Sequence, residues 1–233
     1  MAGAQHKYPD TLLYFPAEGQ TCHSYCGYCF RWLFADVAAA RTLGVMAHYS
    51  HSRELEADVA RRALARVLET GASVRCQAPV IRGVNSSAQA WADLWAAEVR
   101  GGAIPYYMFV ERDTGARRFF EVPLARALEI YDDASARVSG LARTARGPVM
   151  SAAVGKVLVD GAIETPAGNV FALKLIRSRD PALVNRTELA EFDPGATWLD
   201  QLRSLDDPGR RPFTPLDPTA EPLGLDAAGV AAG

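Results

Sequence analysis

Cysteine is scarce in this chain, four residues in 233, and three of the four fall in one short stretch. A disulfide framework spreads an even set along the chain, so the clustering excludes a small disulfide scaffold and fits a reducing cytoplasm. No apolar run is long enough to span a bilayer. The stretch from Met1 to Asp10 lacks the apolar centre of a signal peptide. A cytoplasmic protein with no membrane partner is expected. Charge of neither sign dominates: 25 Lys and Arg stand against 27 Asp and Glu, a net charge of −2. That balance gives no whole-chain attraction to nucleic acid or to an anionic membrane. Arg61, Arg62 and Arg66 read as the solvated face of a helix. Internal repeats are also lacking. What remains is an ordinary globular composition, 49% apolar and 22% charged. The length suffices for one α/β domain with a core, or for one domain and a small appendage.

The three clustered cysteines are Cys22, Cys26 and Cys29, spaced C-x3-C-x2-C. Thiolates this close suit a metal centre, and three rather than four leave one coordination position open for chemistry. Soft sulfur ligands point to an iron–sulfur cluster or to zinc. In the zinc case, His23 or a distant histidine completes a staple, and the protein is a small interaction module. Cys76 stands alone and reads as a buried small apolar residue.

Strands and helices alternate after the cysteine loop. The run Thr11 to Phe15 reads as a strand feeding the loop, and Val45 to Tyr49 as a second. Leu55, Val59, Ala63 and Val67 recur at helical spacing, predicting a helix from Arg53 to about Thr70 with Ser52 as its cap and Gly71 as its stop. A strand at Val74 to Val80, a helix at Gln89 to Arg100, a strand at Ile104 to Val110 and a helix opening at Pro123 follow. This alternation predicts an α/β fold built from parallel βα units. After Gly147, strands near 156–160 and 170–176 predict an antiparallel C-terminal appendage over 147–203. Residues 204–233, rich in proline, aspartate, glycine and alanine, read as a disordered tail.

Several motifs then coincide. They are Tyr8-Pro9-Asp10, Tyr25-Cys26-Gly27-Tyr28-Cys29-Phe30-Arg31, Met46-Ala47-His48-Tyr49-Ser50-His51, Gln77 with Arg82-Gly83-Val84-Asn85, Pro105-Tyr106-Tyr107-Met108, and Gly147-Pro148-Val149-Met150. In this order they resemble the lysine 2,3-aminomutase family of radical S-adenosylmethionine (SAM) enzymes, over roughly residues 8 to 160. The resemblance implies a parallel βα barrel of the radical SAM type, here partial, over residues 1–146. It implies a [4Fe–4S] cluster on Cys22, Cys26 and Cys29, with S-adenosylmethionine on the fourth iron beside Tyr28, His48 and Gln77. It implies Arg31 and Tyr107 as contacts to an amino-acid-like substrate, and an electron donor such as a ferredoxin or flavodoxin. The activity implied is generation of a 5′-deoxyadenosyl radical for an amino-acid rearrangement, an isomerase reaction.

The chain also departs from that pattern. Only residues 30–44 separate Cys29 from the strand at Val45, too few for a βαβ unit. The family's Gly-Gly-acidic motif for the amino group of S-adenosylmethionine is missing. An internal deletion near residues 32–36 is expected, leaving exposed sheet edges that favour self-association. Pyridoxal phosphate is implied by the family, but Arg146 stands where its Schiff-base lysine lies. Arg112 stands where the family carries the carboxylate that binds a lysine side chain. A second reading is therefore a catalytically degenerate member that keeps only the cluster loop.

Overall fold

The computed structural model of the chain describes residues 4–8, 11–14, 42–111 and 117–214. Its centre is a seven-stranded sheet with the strands in chain order: β3 (Gly44–His48), β4 (Ser73–Val80), β5 (Ile104–Val110), β6 (Arg146–Ala152), β7 (Gly155–Thr165), β8 (Gly168–Arg177) and β9 (Thr187–Glu191). The steps from β3 to β6 are parallel, and those from β6 to β9 are antiparallel. β1 (Ala4–Tyr8) and β2 (Thr11–Tyr14) form a separate antiparallel pair. Thr11 to Tyr14 is thus a strand, as its apolar run predicts, but its partner is β1 rather than the main sheet. The α/β class predicted from the alternation is observed.

Strand parity explains the layering. In β4, Val74, Cys76, Ala78 and Val80 are buried, while the intervening Arg75 is exposed and Gln77 half-buried. A strand with one face under helices buries every second residue. The helices on that face are α1 (Asp58–Leu68), α2 (Ala88–Arg100) and α4 (Leu124–Arg137), with a four-residue α3 (Arg117–Phe120) between. Trp91, Leu94 and Trp95 of α2 pack with Ala127, Ile130 and Ala134 of α4 over Ala78, Val80 and Met108. Ser87 Oγ caps α2 by accepting from the Ala90 amide at 3.2 Å, which orders one of the amide donors the first turn leaves over. Each fully buried large side chain of this core contributes on the order of 2 kcal/mol.

Three expectations meet a different structure. The helix predicted over residues 53–70 is split into a single 3-10 turn, Ser52–Leu55, and then α1. His51, not Ser52, caps that turn: its Nδ1 accepts from the Arg53 amide at 3.2 Å, and Glu54 Oε1 accepts from the His51 amide at 2.9 Å. The reciprocal pair satisfies donors that a serine at N1 would not reach. The antiparallel strands expected after Gly147 are present, but they continue the main sheet through hairpins and do not stand apart as an appendage. Their inner faces join α4 in a second core containing Met150, Val157, Val159, Phe171 and Leu173. Residues 204–214, assigned by composition to a loose tail, are packed. Ser204 bridges Ala190, and Phe213 is buried in that second core. Phe213 N and Arg210 Nη1 donate to Glu188 Oε2 at 2.8 and 3.2 Å. One buried carboxylate thus draws the segment inward against its composition. Residues 215–233 lie outside the described residues.

Candidate functional site

The helix-free face of the sheet gathers the candidate residues. His48 is the Cα partner of Gln77, Gln77 of Tyr107, and Tyr107 of Arg146. Partners in register on parallel strands project to one side, so residues of three separate motifs, with Arg146 just ahead of a fourth, form one row across β3, β4, β5 and β6. At about 4.8 Å per strand step the row is about 14 Å long. His48 and Arg146 at its ends are exposed, Gln77 is half-buried and Tyr107 is buried.

The β4–β5 register slips between Cys76 and Gln77, where β5 advances from Pro105 to Tyr107. This irregularity frees Tyr106 to lie beside Tyr107, with ring centres 4.2 Å apart. Phe109 follows two residues on, its ring 5.0 Å from that of Tyr107. The phenol of Tyr107 is pushed up to about 12, first by burial and then by the neighbouring Tyr106, while the charges of Arg146 and Arg177 pull it the other way. It stays protonated at neutral pH.

The loops above the row are fastened by Asn85. Its Nδ2 donates to Ser50 O at 2.9 Å and to Pro79 O at 3.0 Å, and its Oδ1 accepts from the Ile81 amide at 2.6 Å. The side chain is 1% exposed. It therefore joins the loop after β3 to the loop after β4 and holds His48 beside Gln77. His48 Nε2 lies 3.4 Å from Ser50 Oγ, in the same loop. Both Nδ2 hydrogens of Asn85 are thus spent on the scaffold of these loops.

Cys22, Cys26, Tyr28, Cys29, Arg31 and Arg112 lie outside the described residues. Among the described residues, no group of three or more His, Cys, Asp or Glu is placed to hold a metal ion. Cys76 is buried on the opposite, helix-covered face, as expected of a small apolar residue. Among the described residues no helix is long and apolar enough to cross a membrane.

An Aquifex aeolicus (strain VF5) protein named "Putative L-lysine 2,3-aminomutase" is 28% identical over 176 residues, which is 76% of this chain and 45% of that protein. The chain thus spans about half the length of the curated relative it matches. No protein-family model matches the chain.

Two residues at the site belong to none of the motifs. Arg75 precedes Gln77 by two on β4, and its guanidinium carbon lies 4.9 Å from the centre of the Tyr106 ring. The parity of β4 alone could have placed it on this face. Lys156 Nζ lies 5.0 Å from the Tyr107 ring centre and 4.1 Å from that of Phe109. Only the antiparallel register of β6 and β7, with Lys156 opposite Ser151, brings it there.

Proposed function

We propose that this chain is a radical S-adenosylmethionine protein of the lysine 2,3-aminomutase type, built as a partial βα barrel. The observation that carries the reading is the row His48, Gln77 and Tyr107, continued by Arg146: residues of three motifs far apart in the chain, and the residue just before a fourth, share one face of four parallel strands. The 28% identical relative supports it independently. The donor set suits the group. Cys22, Cys26 and Cys29 would ligate three irons of a [4Fe–4S] cluster and leave the fourth for S-adenosylmethionine. When bound and reduced, this pair supplies a 5′-deoxyadenosyl radical that removes a hydrogen atom from the substrate.

The chain's own residues do the positioning. His48, exposed at the end of β3, and Gln77 beside it offer polar contacts to S-adenosylmethionine, with Tyr28 against its adenine. Tyr107 donates a hydrogen bond to an amino-acid-like substrate, and Arg31 pairs with that substrate's carboxylate. Arg146 does not fit the pyridoxal phosphate of the family, because a guanidinium stays protonated and forms no imine. No step is therefore assigned to that cofactor.

The test is anaerobic cluster reconstitution followed by S-adenosylmethionine and dithionite. Formation of 5′-deoxyadenosine above a Cys22→Ala/Cys26→Ala/Cys29→Ala control is the expected result. An intact cluster without 5′-deoxyadenosine refutes the enzyme reading. It leaves the non-catalytic one, which the missing Gly-Gly-acidic motif favours.

A further inference from the structure

The helix-free face is markedly cationic where it is aromatic. Arg75 from β4 and Arg146 from β6 approach Tyr106 from the strands on either side of β5, their guanidinium carbons 4.9 and 6.0 Å from its ring centre. Lys156 lies over Tyr107 and Phe109 next to them. The charges of Arg146 and Arg177 both reach Tyr107. Arg75 and Arg146 are exposed, and among the described residues neither makes an ion pair or donates a hydrogen bond. Glu111 follows the end of β5, five residues beyond Tyr106 in the chain.

Two guanidiniums brought to one ring repel each other. The ring offers each only about 0.5–1 kcal/mol at an exposed site. It leaves the in-plane N–H donors unspent, since a cation over a π face does not use them. An oxygen anion uses them fully, through short charge-assisted and often bidentate hydrogen bonds. Arginine rather than lysine at both positions suits a planar oxyanion, because the fork is rigid and permanently charged. A cationic side chain brought to Tyr106 would meet the like charges of Arg75 and Arg146.

We propose that Arg75 and Arg146, held against Tyr106, form a subsite for a carboxylate or phosphate oxyanion, so that the ligand of this face is anionic and not a lysine-like cation. This deepens the aminomutase-like reading and rests on it only in calling that ligand the substrate, a side-chain carboxylate being the source that fits an amino acid.

The experiment is calorimetric titration of the full chain with L-glutamate, L-lysine and inorganic phosphate at low ionic strength. It is run on the native sequence, on Arg75→Gln and Arg146→Gln, and on Arg75→Lys. Glutamate binding at least about tenfold tighter than lysine is expected. A loss of about tenfold in each glutamine variant, with an unchanged Tm, fits the removal of one charge-assisted hydrogen-bonding partner. Arg75→Lys should recover part of the loss. Lysine binding as tightly as glutamate, no binding of either anion, or anion binding that survives both glutamine substitutions overturns the subsite. Phosphate binding without glutamate binding, lost in the same variants, keeps the subsite and overturns its assignment to an acidic amino acid. The 5′-deoxyadenosine assay stands apart: glutamate bound but no 5′-deoxyadenosine sinks the radical reading alone, and the reverse result sinks the subsite alone.

Discussion

Replacing Glu98 by glutamine should make the protein more stable, and increasingly so as pH rises. Glu98 sits on α2 with 2% of its surface exposed, facing Cys76 of β4, and its Oε2 has no hydrogen-bond partner among the described residues. Burial pushes its carboxyl from 4.5 up to about 8, against a smaller opposing pull from the Cys76 thiol. The folded chain therefore holds a proton that the unfolded chain releases near 4.5. The stability linked to that proton is fully present below pH 4.5. It is lost as pH climbs from 4.5 to about 8, and the loss is complete above that. At about 1.4 kcal/mol per pH unit the whole span is worth on the order of 5 kcal/mol, of which about 3 are gone by pH 7. Glutamine has nearly the same shape and no charge, so Glu98→Gln removes this slope and leaves the others in place. Urea unfolding at half-unit steps from pH 5 to 8.5, extrapolated to water, measures the difference between variant and native chain. Groups common to both cancel. The difference should grow by several kcal/mol across the range and flatten near pH 8. A difference that stays constant within about 0.5 kcal/mol would show that Glu98 does not titrate in this window and would undo the reasoning.

Two further substitutions probe the frame. Asn85→Ala removes three hydrogen bonds, one to the loop after β3 and two within the end of β4 and its turn, and should cost about 2–4 kcal/mol in urea unfolding. A cost below about 1 kcal/mol would mean that water replaces the amide. Arg210→Met leaves the 5% exposed Glu188 carboxylate with the Phe213 amide and with Arg186 as its remaining cation among the described residues, whose Nη2 lies 2.9 Å from Oε1 without hydrogen-bond alignment. A loss of about 3 kcal/mol is expected, with faster proteolysis between residues 204 and 214. An unchanged cleavage pattern would contradict the fastening of that segment.

How legible these features were depends on where their causes lie. β4 and α2 were readable because each buries one face, so alternation in Ser73–Val80 and helical spacing of Trp91, Leu94 and Trp95 print the fold onto the chain. β9 was not. Thr187–Glu191 (TELAE) carries residues that favour helices, and it is a strand because β8 offers it a partner. β1, with the polar run AQHKY, is likewise made by its pairing with β2. At the site, His48, Gln77 and Tyr107 stood out through motifs, but their common row depends on inter-strand register, which no single strand encodes. The Tyr106 position depends on a register slip, and Lys156 on an antiparallel hairpin. Both are properties of pairs of segments.

The change of strand direction at β6 also polarises the sheet. Beyond β9, the segment from 203 to 205 already lies along the strand: Glu191 N donates to Arg203 O, and Leu205 N donates to Leu189 O, both at 2.9 Å. That border is sealed by the chain itself. At the other border, β3 has one sheet neighbour among the described residues, β4, and alternates exposed and half-buried positions along its length. Enlargement of the sheet thus has one direction. A further strand, whether from this chain or another, has to join beside β3, next to His48, and lengthens the row that begins there.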